Sequence, residues 1–353
     1  MFLTGLGTAT PPHRYTQREC WDALVASGYL SSVSSRSQAI LRKVLLGNNG
    51  ICSRHLALDN LLDAFEMRPD VLDARFTAHA PVLAALAGER AMTRAEISAD
   101  EVDAIVISTC TGYLCPGLSS YVSERLGLRP DVLALDLVGQ GCGAALPNMR
   151  AGEALIAAGR AQKVLSVCVE ICSAAMYMDD DPGVLISACL FGDGAGAAIL
   201  SAEADSSQRR IEWKTSSTRL TPEDRDQLRF EKRGGMLRNI LSLDVPALAG
   251  AQARFMMNEV LERAGLERED IRGWILHAGG REILAAIRDH TGLSEADTRW
   301  SAGVLREYGN VSSPCVYFVM DAALREDPPA GYWWMSSFGA GFSCHGALLR
   351  VSA

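Results

Sequence analysis

Short, nearly continuous apolar runs alternate with polar stretches along the chain, and they predict buried strands and helices. Residues 163–169 form an almost unbroken apolar run, which is typical of a strand buried on both faces. Residues 132–135 predict a second strand, and the small and apolar residues of 144–158 predict a buried helix. These patterns indicate an α/β fold in which mixed β strands are covered by helices.

Cys142 lies between the predicted strand at 132–135 and the predicted helix at 144–158. A cysteine at a helix start is close to free N–H groups and to the positive end of the helix dipole, which favour the thiolate over the thiol. Gly141, Gly143 and Ala144 leave room for a bulky group to approach the sulfur. The position therefore predicts a nucleophile, and the alternative is a buried, unreactive cysteine.

Two later motifs place further polar residues at the ends of predicted elements. His277 ends an apolar run and is followed after one residue by Gly279 and Gly280. Asn310 precedes a helix predicted to start around Ser312. Alone, each has an ordinary structural explanation, as a hydrogen-bonded histidine or as a turn with a helix cap. Together with Cys142 they form a candidate Cys-His-Asn catalytic set.

Two segments recur about half a chain apart. Residues 97–109 and 266–278 both combine an acidic turn with a following buried strand, and residues 191–200 resemble residues 338–349. Because the two pairs keep the same order and a similar separation, they predict a gene-duplicated architecture. The predicted halves are 1–207, with Cys142, and 208–353, with His277 and Asn310. The polar stretch 202–208 is the predicted link between them.

Composition and charge are those expected of a soluble enzyme. The 353 residues are 48% hydrophobic and 22% charged with a formal net charge of −8, which argues against a nucleic-acid or anionic-membrane surface. No apolar run is long enough to span a membrane, and no basic region at the start indicates a secretory signal. The ten cysteines lack metal-ligand spacing, which indicates reduced thiols, a cytoplasmic location and no structural zinc. The acidic run 179–181 is interpreted as a solvated turn rather than a metal site.

Taken together, these motifs resemble the thiolase fold, which has two αβαβα halves with mixed sheets. The helix-start cysteine, His277-x-Gly-Gly and the turn around Asn310 are more closely similar to type III polyketide synthases, the chalcone-synthase-like family. The resemblance covers nearly the whole chain, and residues 191–194 match the family's Phe-Gly-Asp-Gly motif as it stands. Ala278 and Ala340 depart from the family, which usually has proline at both positions. The neighbouring glycines are retained, so the departures affect loop rigidity more than catalysis.

The resemblance implies roles for the candidate catalytic residues. Cys142 would take an acyl group from coenzyme A as a thioester, and His277 would stabilise the Cys142 thiolate as an ion pair. His277 and Asn310 would then hold the enolate formed when a malonyl thioester loses CO2. Backbone N–H groups near Cys142 and in the loop from Gly339 to Gly341 are candidates for a second oxyanion site. The implied enzyme is a decarboxylating acyltransferase with coenzyme A thioesters as substrates and neither a metal nor another cofactor.

A substrate pocket is also implied by the resemblance, with Phe191 as the family's gatekeeper between the coenzyme A tunnel and the reaction cavity. The other positions that match the family's cavity lining are Cys110, Thr111, Cys172, Ala175, Ser187 and Ser312. Plant chalcone synthases tend to have threonine where this chain has Cys110, Cys172 and Ala175, so a roomier and more apolar pocket is expected. Such a pocket favours medium- to long-chain acyl starters. Residues 234–241 resemble bacterial alkylresorcinol and alkylpyrone synthases, which gives the predicted product class.

Several partners follow from the same resemblance. Arg42 and Lys43 are the candidate contacts for the coenzyme A phosphates, although a solvated helix face is an equal alternative. Members of the family are homodimers, and Cys115, before Pro116 and Gly117, is the candidate residue that reaches the partner's cavity. An acyl carrier protein is a further candidate partner, whereas nucleic acid and a membrane span are not expected.

Other functions stay open on the sequence alone. A ketoacyl synthase of the fatty-acid initiating type shares the fold and the catalytic set, but it favours an Ala-Cys context and His-Gln-Ala-Asn. A type III polyketide synthase with an aromatic starter would need only a different pocket. A papain-like hydrolase shares the order Cys, His, Asn but not its local signature. A non-catalytic scaffold would not need all three residues.

Overall fold

The computed structural model describes residues 1–204, 209–326 and 329–352. Its strands are β1 (Phe2–Ala9), β2 (Arg14–Thr16), β3 (Ser53–His55), β4 (Ala104–Ser108), β5 (Leu133–Leu137), β6 (Lys163–Glu170), β7 (Gly194–Ser201), β8 (Ile211–Leu220), β9 (Leu228–Arg233), β10 (Met236–Leu241), β11 (Ile271–Leu276), β12 (Gly331–Gly339) and β13 (Ser343–Val351). Its α-helices are α1 (Gln17–Ala26), α2 (Ser35–Leu46), α3 (Pro69–Arg94), α4 (Leu118–Leu126), α5 (Ala145–Ala157), α6 (Pro182–Leu190), α7 (Val245–Ala264), α8 (Arg281–Thr291), α9 (Arg299–Tyr308) and α10 (Cys315–Arg325). Short 3₁₀ helices are Tyr29–Ser32, Leu61–Phe65, Ala99–Glu101, Gly141–Gly143, Cys172–Ala175, Pro222–Gln227 and Arg268–Asp270.

A nine-stranded mixed sheet in the order β11-β12-β13-β8-β1-β7-β6-β4-β5 organises the chain. β1 and β8 meet at its centre, where Phe2 lies opposite Glu212 and Leu3 opposite Ile211. The predicted strands at 132–135 and 163–169 are confirmed as β5 and β6, and the predicted helix at 144–158 is confirmed as α5. β6 is buried along nearly its whole length, as its continuous apolar pattern requires.

The predicted duplication is visible in the strand order and direction. In the N-terminal part, β1 and β7 are antiparallel, β7 and β6 are antiparallel, and β6 and β4 are parallel. In the C-terminal part, β8, β13, β12 and β11 repeat those three relationships in the same order. The repeated segments also correspond locally, because β4 and β11 each follow a 3₁₀ turn closed by a capping box. The predicted boundary at 207/208 falls at residues 205–208, outside the described residues, and stays a prediction.

The helices form layers on and between the two parts of the sheet. α3 packs on β1, β6 and β7, and α7 packs on β8 and β13. α5 contacts β4 and β6 on one side and β12 and β13 on the other, while α10 contacts β1, β7, β11 and β12. This gives the αβαβα layering of the thiolase fold and places the starts of α5 and α10 in the interior.

A two-stranded hairpin of β9 and β10 lies outside the main sheet. Its strands are joined at Gly234 and Gly235, which have φ values of 57° and 83°, and such left-handed backbone is the reason for glycine in a tight hairpin turn. β10 packs against α6 and against the 3₁₀ turn Cys172–Ala175. The hairpin is therefore positioned over the same region as the Cys142 turn.

Within the described ranges, no helix is both long and apolar enough to cross a membrane.

Candidate active site

Cys142 occupies the 3₁₀ turn Gly141–Gly143, which leads directly into α5. This turn packs closely on the loop after β12. A Cβ atom on Gly339 would lie 2.3 Å from the Gln140 carbonyl oxygen and 2.5 Å from the Gly143 nitrogen, so glycine is required at that contact. The Cys142 turn and the 339–341 loop are therefore in close backbone contact, and their N–H groups stay candidates for an oxyanion site.

The Cys142 sulfur accepts a hydrogen bond from the Ser312 hydroxyl, with Oγ to Sγ at 3.2 Å. Ser312 is buried and has a φ of 56°, a left-handed conformation that is costly for a residue other than glycine. The Asn310 side-chain oxygen accepts the Ser312 backbone N–H at 2.9 Å, which holds this strained turn. The turn that carries Asn310 therefore also aims a hydroxyl at the nucleophile.

Burial of the sulfur opposes the thiolate that the helix start favours. Desolvation, together with the nearby Glu170 carboxylate, raises the pKa of the Cys142 thiol to about 12, while the Ser312 hydrogen bond lowers this pKa. Desolvation disfavours the charged form of a thiol. The Cys142 thiolate stays a prediction that this environment does not favour.

His277 follows β11 and is buried. Its backbone N–H donates a hydrogen bond to the Ser336 carbonyl of β12 at 3.0 Å. Its ring packs edge-on against Phe338, with ring centroids 5.0 Å apart. Burial lowers the pKa of His277 to about 4, so the imidazole is neutral. Among the residues that the structure describes, its buried Nδ1 has no hydrogen-bond partner. Burial thus disfavours both charges of the thiolate–imidazolium ion pair, which stays a prediction.

Asn310 connects the catalytic turns. Its side-chain Nδ2 donates to the Gly279 carbonyl at 3.1 Å, which ties the segment after His277 to the Ser312 turn. Because Nδ2 carries two hydrogens, one remains available for a substrate oxygen. The Asn310 backbone is also hydrogen-bonded to both neighbours of Phe191. Its N–H donates to the Leu190 carbonyl at 2.9 Å, and its carbonyl accepts from the Gly192 N–H at 3.0 Å. The backbone of Asn310 therefore lies next to that of Phe191, the predicted gatekeeper.

The buried Glu170 carboxylate lies beside this site and was not singled out from the sequence. It accepts hydrogen bonds from the Cys110 backbone N–H at 3.0 Å, the Thr111 hydroxyl at 2.9 Å and the Ser313 hydroxyl. Ser312 Oγ is also within 3.4 Å of the carboxylate. Burial raises the pKa of Glu170 in spite of these donors. Glu170 fixes the positions of the β4 end and the Ser312 turn around Cys142.

A narrow cavity of about 50 Å³ borders Cys142 and is called the thiol cavity here. It is lined by Cys110, Thr111, Gly141, Cys142, Cys172, Ala175, Met176, Tyr177, Val184, Ser187, Ala188, Phe191, Leu228, Arg229, Phe230, Asn239, Ser312 and Ala340. The candidates Cys110, Thr111, Cys172, Ala175, Ser187, Phe191 and Ser312 thus meet around Cys142.

The expectation of a pocket roomier than that of plant chalcone synthases stays a prediction. The thiol cavity has about 50 Å³, whereas small-molecule sites usually measure about 300–1,000 Å³. Met176, Tyr177, Leu228 and Phe230 are bulky residues of its wall. Local sequence patterns do not indicate Leu228 and Phe230, because β9 and β10 approach Cys142 through the tertiary fold.

Several other candidates lie elsewhere. Gly339 and Gly341 flank Ala340, which is the residue of that loop in the cavity wall. Arg42 and Lys43 are exposed on α2, and Cys115 is exposed on the loop before α4. None of these five residues lines the thiol cavity in the described part of the chain.

The acidic run 179–181 is not simply a solvated turn. Arg238 of β10, only 11% exposed, pairs with Asp179 at 3.0 Å and Asp181 at 3.2 Å. The Asp181 side chain also caps α6 by accepting the Gly183 and Val184 N–H groups. These contacts anchor the hairpin over the cavity. In the described ranges, no cluster of three or more histidine, cysteine or acidic side chains is arranged to hold a metal ion.

Comparison with known proteins gives matches along nearly the full chain. Residues 11–226 match the family model described as FAE1/Type III polyketide synthase-like protein, and residues 212–351 match the C-terminal domain of chalcone and stilbene synthases. The 1,3,6,8-tetrahydroxynaphthalene synthase of Streptomyces peucetius subsp. caesius is 32% identical over 99% of this chain and 92% of its own. The 3,5-dihydroxyphenylacetyl-CoA synthase of Amycolatopsis orientalis is 30% identical over 99% of this chain and 93% of its own.

The fold agrees with that relationship. The crystal structure of PKS-I from the brown alga Ectocarpus siliculosus superposes with a TM-score of 0.91 at 25% identity, covering 99% of this chain and 97% of that one. The two family matches together span both halves of the duplicated fold and all three residues of the predicted catalytic set. This chain therefore belongs to the type III polyketide synthase family, whose enzymes are acyltransferases that carry out decarboxylating Claisen condensation.

Proposed function

We propose that the protein loads an acyl-CoA starter on Cys142 and extends it with units from malonyl-CoA. The observation that carries this proposal is the placement of Cys142, which is held by Ser312 and opens onto a cavity with largely apolar walls. A buried thiol beside an apolar cavity can hold a hydrophobic acyl chain as a thioester and keep water from it.

Loading begins with proton transfer, because burial of Cys142 favours the neutral thiol over the thiolate. The Cys142 proton passes to the neutral His277 imidazole as sulfur attacks the thioester carbonyl of the starter. The oxyanion is held by backbone N–H groups of the Cys142 turn and the 339–341 loop, which pack against each other. The bond to coenzyme A then breaks, and the departing sulfur takes the proton from His277, so the products are acyl-Cys142 and free coenzyme A.

Extension uses the side chains of His277 and Asn310. Malonyl-CoA loses its carboxylate as CO2, and the resulting enolate oxygen accepts hydrogen bonds from His277 and from the free N–H of the Asn310 amide. The enolate carbon attacks the acyl-Cys142 carbonyl, and the carbon–sulfur bond to Cys142 breaks. The products are CO2, a coenzyme A thioester two carbons longer and the Cys142 thiolate, which takes a proton from water and is ready for the next loading step. No resident cofactor is needed for these steps.

The proposed starter is a medium- or long-chain acyl group, and the proposed product is an alkylresorcinol or alkylpyrone. One feature of the cavity wall supports an apolar starter. Cys110, Cys172 and Ala175 present no side-chain hydroxyl to the cavity. Each CH2 buried against such a wall contributes about 0.8 kcal/mol.

A second candidate is a small starter that gives a polyphenolic product. It is favoured by the volume of the thiol cavity, about 50 Å³, and by the two relatives, whose names are those of tetrahydroxynaphthalene and dihydroxyphenylacetyl-CoA synthases. The family assignment and the decarboxylating condensation are the same for both candidates.

Product analysis by mass spectrometry separates these candidates. Purified protein is incubated with malonyl-CoA alone, then with octanoyl- to palmitoyl-CoA, and then with coumaroyl- or benzoyl-CoA. The first candidate predicts higher turnover with fatty starters and its loss in Ala175→Leu, with Ala175→Ser as the control that keeps the volume. Products from malonyl-CoA alone support the second candidate. Preference for aromatic starters, or unchanged long-chain product in Ala175→Leu, would reject the fatty starter.

We also propose the partners and the location. The Arg42 and Lys43 side chains, exposed on α2, can pair with coenzyme A phosphates, and Arg42→Ala and Lys43→Ala should then raise KM more than they lower kcat.

The functional unit is proposed to be a homodimer in the cytoplasm, in which Cys115 reaches the partner's cavity. Delivery of the starter by an acyl carrier protein is tested by comparing acyl-CoA with the same acyl group on a carrier protein.

A further inference from the structure

The orientation of the His277 imidazole depends on its packing and on the backbone that carries it. Among the side chains and backbone groups that the structure describes, none is hydrogen-bonded to the buried Nδ1 atom. A hydrogen bond at the second ring nitrogen is the common device that fixes a functional histidine. Here the ring is held instead by an edge-on contact with Phe338, whose ring centroid is 5.0 Å away.

The backbone of residues 277–279, called the histidine loop here, is hydrogen-bonded at both ends. The His277 N–H donates to the Ser336 carbonyl at 3.0 Å, and the Gly279 carbonyl accepts from Asn310 Nδ2 at 3.1 Å. The ring lies against the end of this loop, since a Cβ atom on Gly279 would be 3.3 Å from the His277 Nε2 atom. A shift of the loop would therefore move the imidazole.

The middle of the histidine loop is held by a cysteine side chain. The Ala278 N–H donates to the Sγ atom of Cys315 at 3.1 Å, and both residues are fully buried. Sulfur is a weak acceptor, but a buried N–H group without any acceptor is costly, so this bond restricts where the loop can lie. A proline at position 278, which is usual in the family, has no N–H group and could not make this bond.

Cys315 is also bonded to the turn that orients the nucleophile. It is the first residue of α10, and its backbone N–H donates to the Ser312 carbonyl at 3.1 Å. The Ser312 hydroxyl in turn donates to the Cys142 sulfur. Cys315 thus joins the histidine loop, through its sulfur, to the turn that contacts Cys142, through its backbone.

We propose that Cys315 is a positioning residue for His277. Its sulfur holds the Ala278 N–H, and so keeps the imidazole where it can take the proton of Cys142 and donate to the enolate oxygen. Cys315 does not line the thiol cavity in the described part of the chain, so it acts through the histidine loop rather than on the substrate. This inference rests on the roles proposed for His277.

The test compares Cys315→Ala with Cys315→Ser, because both remove the sulfur but only serine keeps a hydrogen-bond acceptor. The kcat and KM for CO2 release from malonyl-CoA are measured for each variant. Cys315→Ala should lower kcat about tenfold, as expected when a catalytic group is slightly misplaced, and should leave KM within about twofold of wild type. Cys315→Ser should keep kcat within about threefold of wild type. Acylation of Cys142 should slow in parallel, because it also uses His277.

Two further variants serve as controls. Cys189→Ala removes a thiol that is likewise buried, on α6 and outside the wall of the thiol cavity in the described ranges, and should leave kcat unchanged. Ala278→Pro removes the N–H group that the sulfur accepts. In the Ala278→Pro background, Cys315→Ala and Cys315→Ser should therefore have the same kcat.

Three outcomes would overturn the positioning role. They are a wild-type kcat in Cys315→Ala, an equal loss in Cys315→Ala and Cys315→Ser when Ala278 is present, and a difference between these two variants that persists in the Ala278→Pro background. Failure of the proposed function is recognised separately, by CO2 release at the wild-type rate in His277→Ala. A slow Cys315→Ala beside such a His277→Ala would show that Cys315 does not act through His277.

Discussion

The Ser312 hydroxyl donates a hydrogen bond to the Cys142 sulfur at 3.2 Å, from a backbone conformation with a φ of 56°. The two residues are 170 positions apart and belong to opposite halves of the duplicated chain. Strained backbone at a functional residue persists only where the surroundings hold it, and here Asn310 does so through the Ser312 N–H. The nucleophile of one half is thus oriented by a turn of the other half.

Removal of that hydroxyl is expected to slow loading of Cys142. The Ser312 hydrogen bond lowers the pKa of a thiol that burial otherwise raises, so Ser312→Ala should reduce the thiolate fraction. A loss of about one pKa unit corresponds to about 1.4 kcal/mol and a tenfold slower acylation. The rate of Cys142 acylation by a fixed acyl-CoA, followed by intact mass, measures this effect.

Two variants control that experiment. Ser312→Gly also removes the hydroxyl but suits the left-handed backbone, so it should be as slow as Ser312→Ala and more stable to unfolding. Ser313→Ala removes a hydrogen bond to Glu170 without touching the sulfur. If Ser313→Ala slowed acylation as much as Ser312→Ala, the direct contact with Cys142 would not be the cause.

Protein stability should fall as the pH drops from about 6.5 toward 4, because two buried histidines are neutral in the folded chain. Burial lowers the pKa of His277 and of His345 to about 4 from 6.5. The folded state therefore binds fewer protons than the unfolded state in this window, and stability is lost as the pH falls. Linkage gives a loss of about 2 kcal/mol for each histidine between pH 7.5 and pH 5.

The difference between wild type and His345→Gln isolates this effect from the titration of buried carboxylates. Urea unfolding at pH 7.5 and pH 5 should show that His345→Gln loses about 2 kcal/mol less than wild type over that interval. His345 is suited to this comparison because no proposed step uses its side chain, whose Nδ1 is hydrogen-bonded to the Thr218 hydroxyl at 3.0 Å. Parallel pH profiles for the two proteins would show that His345 is not held neutral by burial.

The proposed homodimer makes a prediction about mixed subunits. If Cys115 enters the partner's cavity, Cys115→Trp should block the cavity of the other subunit. A mixed dimer of Cys142→Ala with Cys115→Trp keeps one intact site, because the subunit with Cys142 receives an unchanged Cys115. The second mixed dimer pairs wild type with a double variant that carries both Cys142→Ala and Cys115→Trp. Its only Cys142 lies in the cavity that receives the tryptophan of the other subunit, so this dimer should be inactive.

Purified mixed dimers and their product formation test this arrangement. Light scattering at micromolar concentration should first give twice the subunit mass of 37.9 kDa. A clean monomer mass, or equal activity of the two mixed dimers, would count against Cys115 as a residue of the partner's site.

Local sequence patterns determined much of the fold. The apolar runs at 132–135, 144–158 and 163–169 became β5, α5 and β6, because burial of such runs is decided within a few residues. The repeated turn-and-strand segments became β4 and β11, which occupy equivalent positions in the two parts of the sheet. In both cases the pattern alone carries the structural information.

The site depended more on contacts that are distant in sequence. Glu170 was missed, because its role comes from donors such as Ser313, which is 143 residues away. Phe230 was missed for the same reason, since its hairpin is held near Cys142 by contacts that include those with α6 and with the Cys172–Ala175 turn. The burial that raises the pKa of Cys142 could not be predicted either, because the residues that surround the sulfur come from distant parts of the chain.

The central claim is that Cys142 carries the chain while His277 and Asn310 stabilise the enolate. CO2 release from malonyl-CoA and polyketide formation, measured together in Cys142→Ala, His277→Ala and Asn310→Ala, test it most directly. We expect Cys142→Ala to make no polyketide and to carry no acyl adduct but still to release CO2, whereas the other two variants should lose both activities. Polyketide formation at the wild-type rate by Cys142→Ala would contradict the role of Cys142 as the residue that carries the chain.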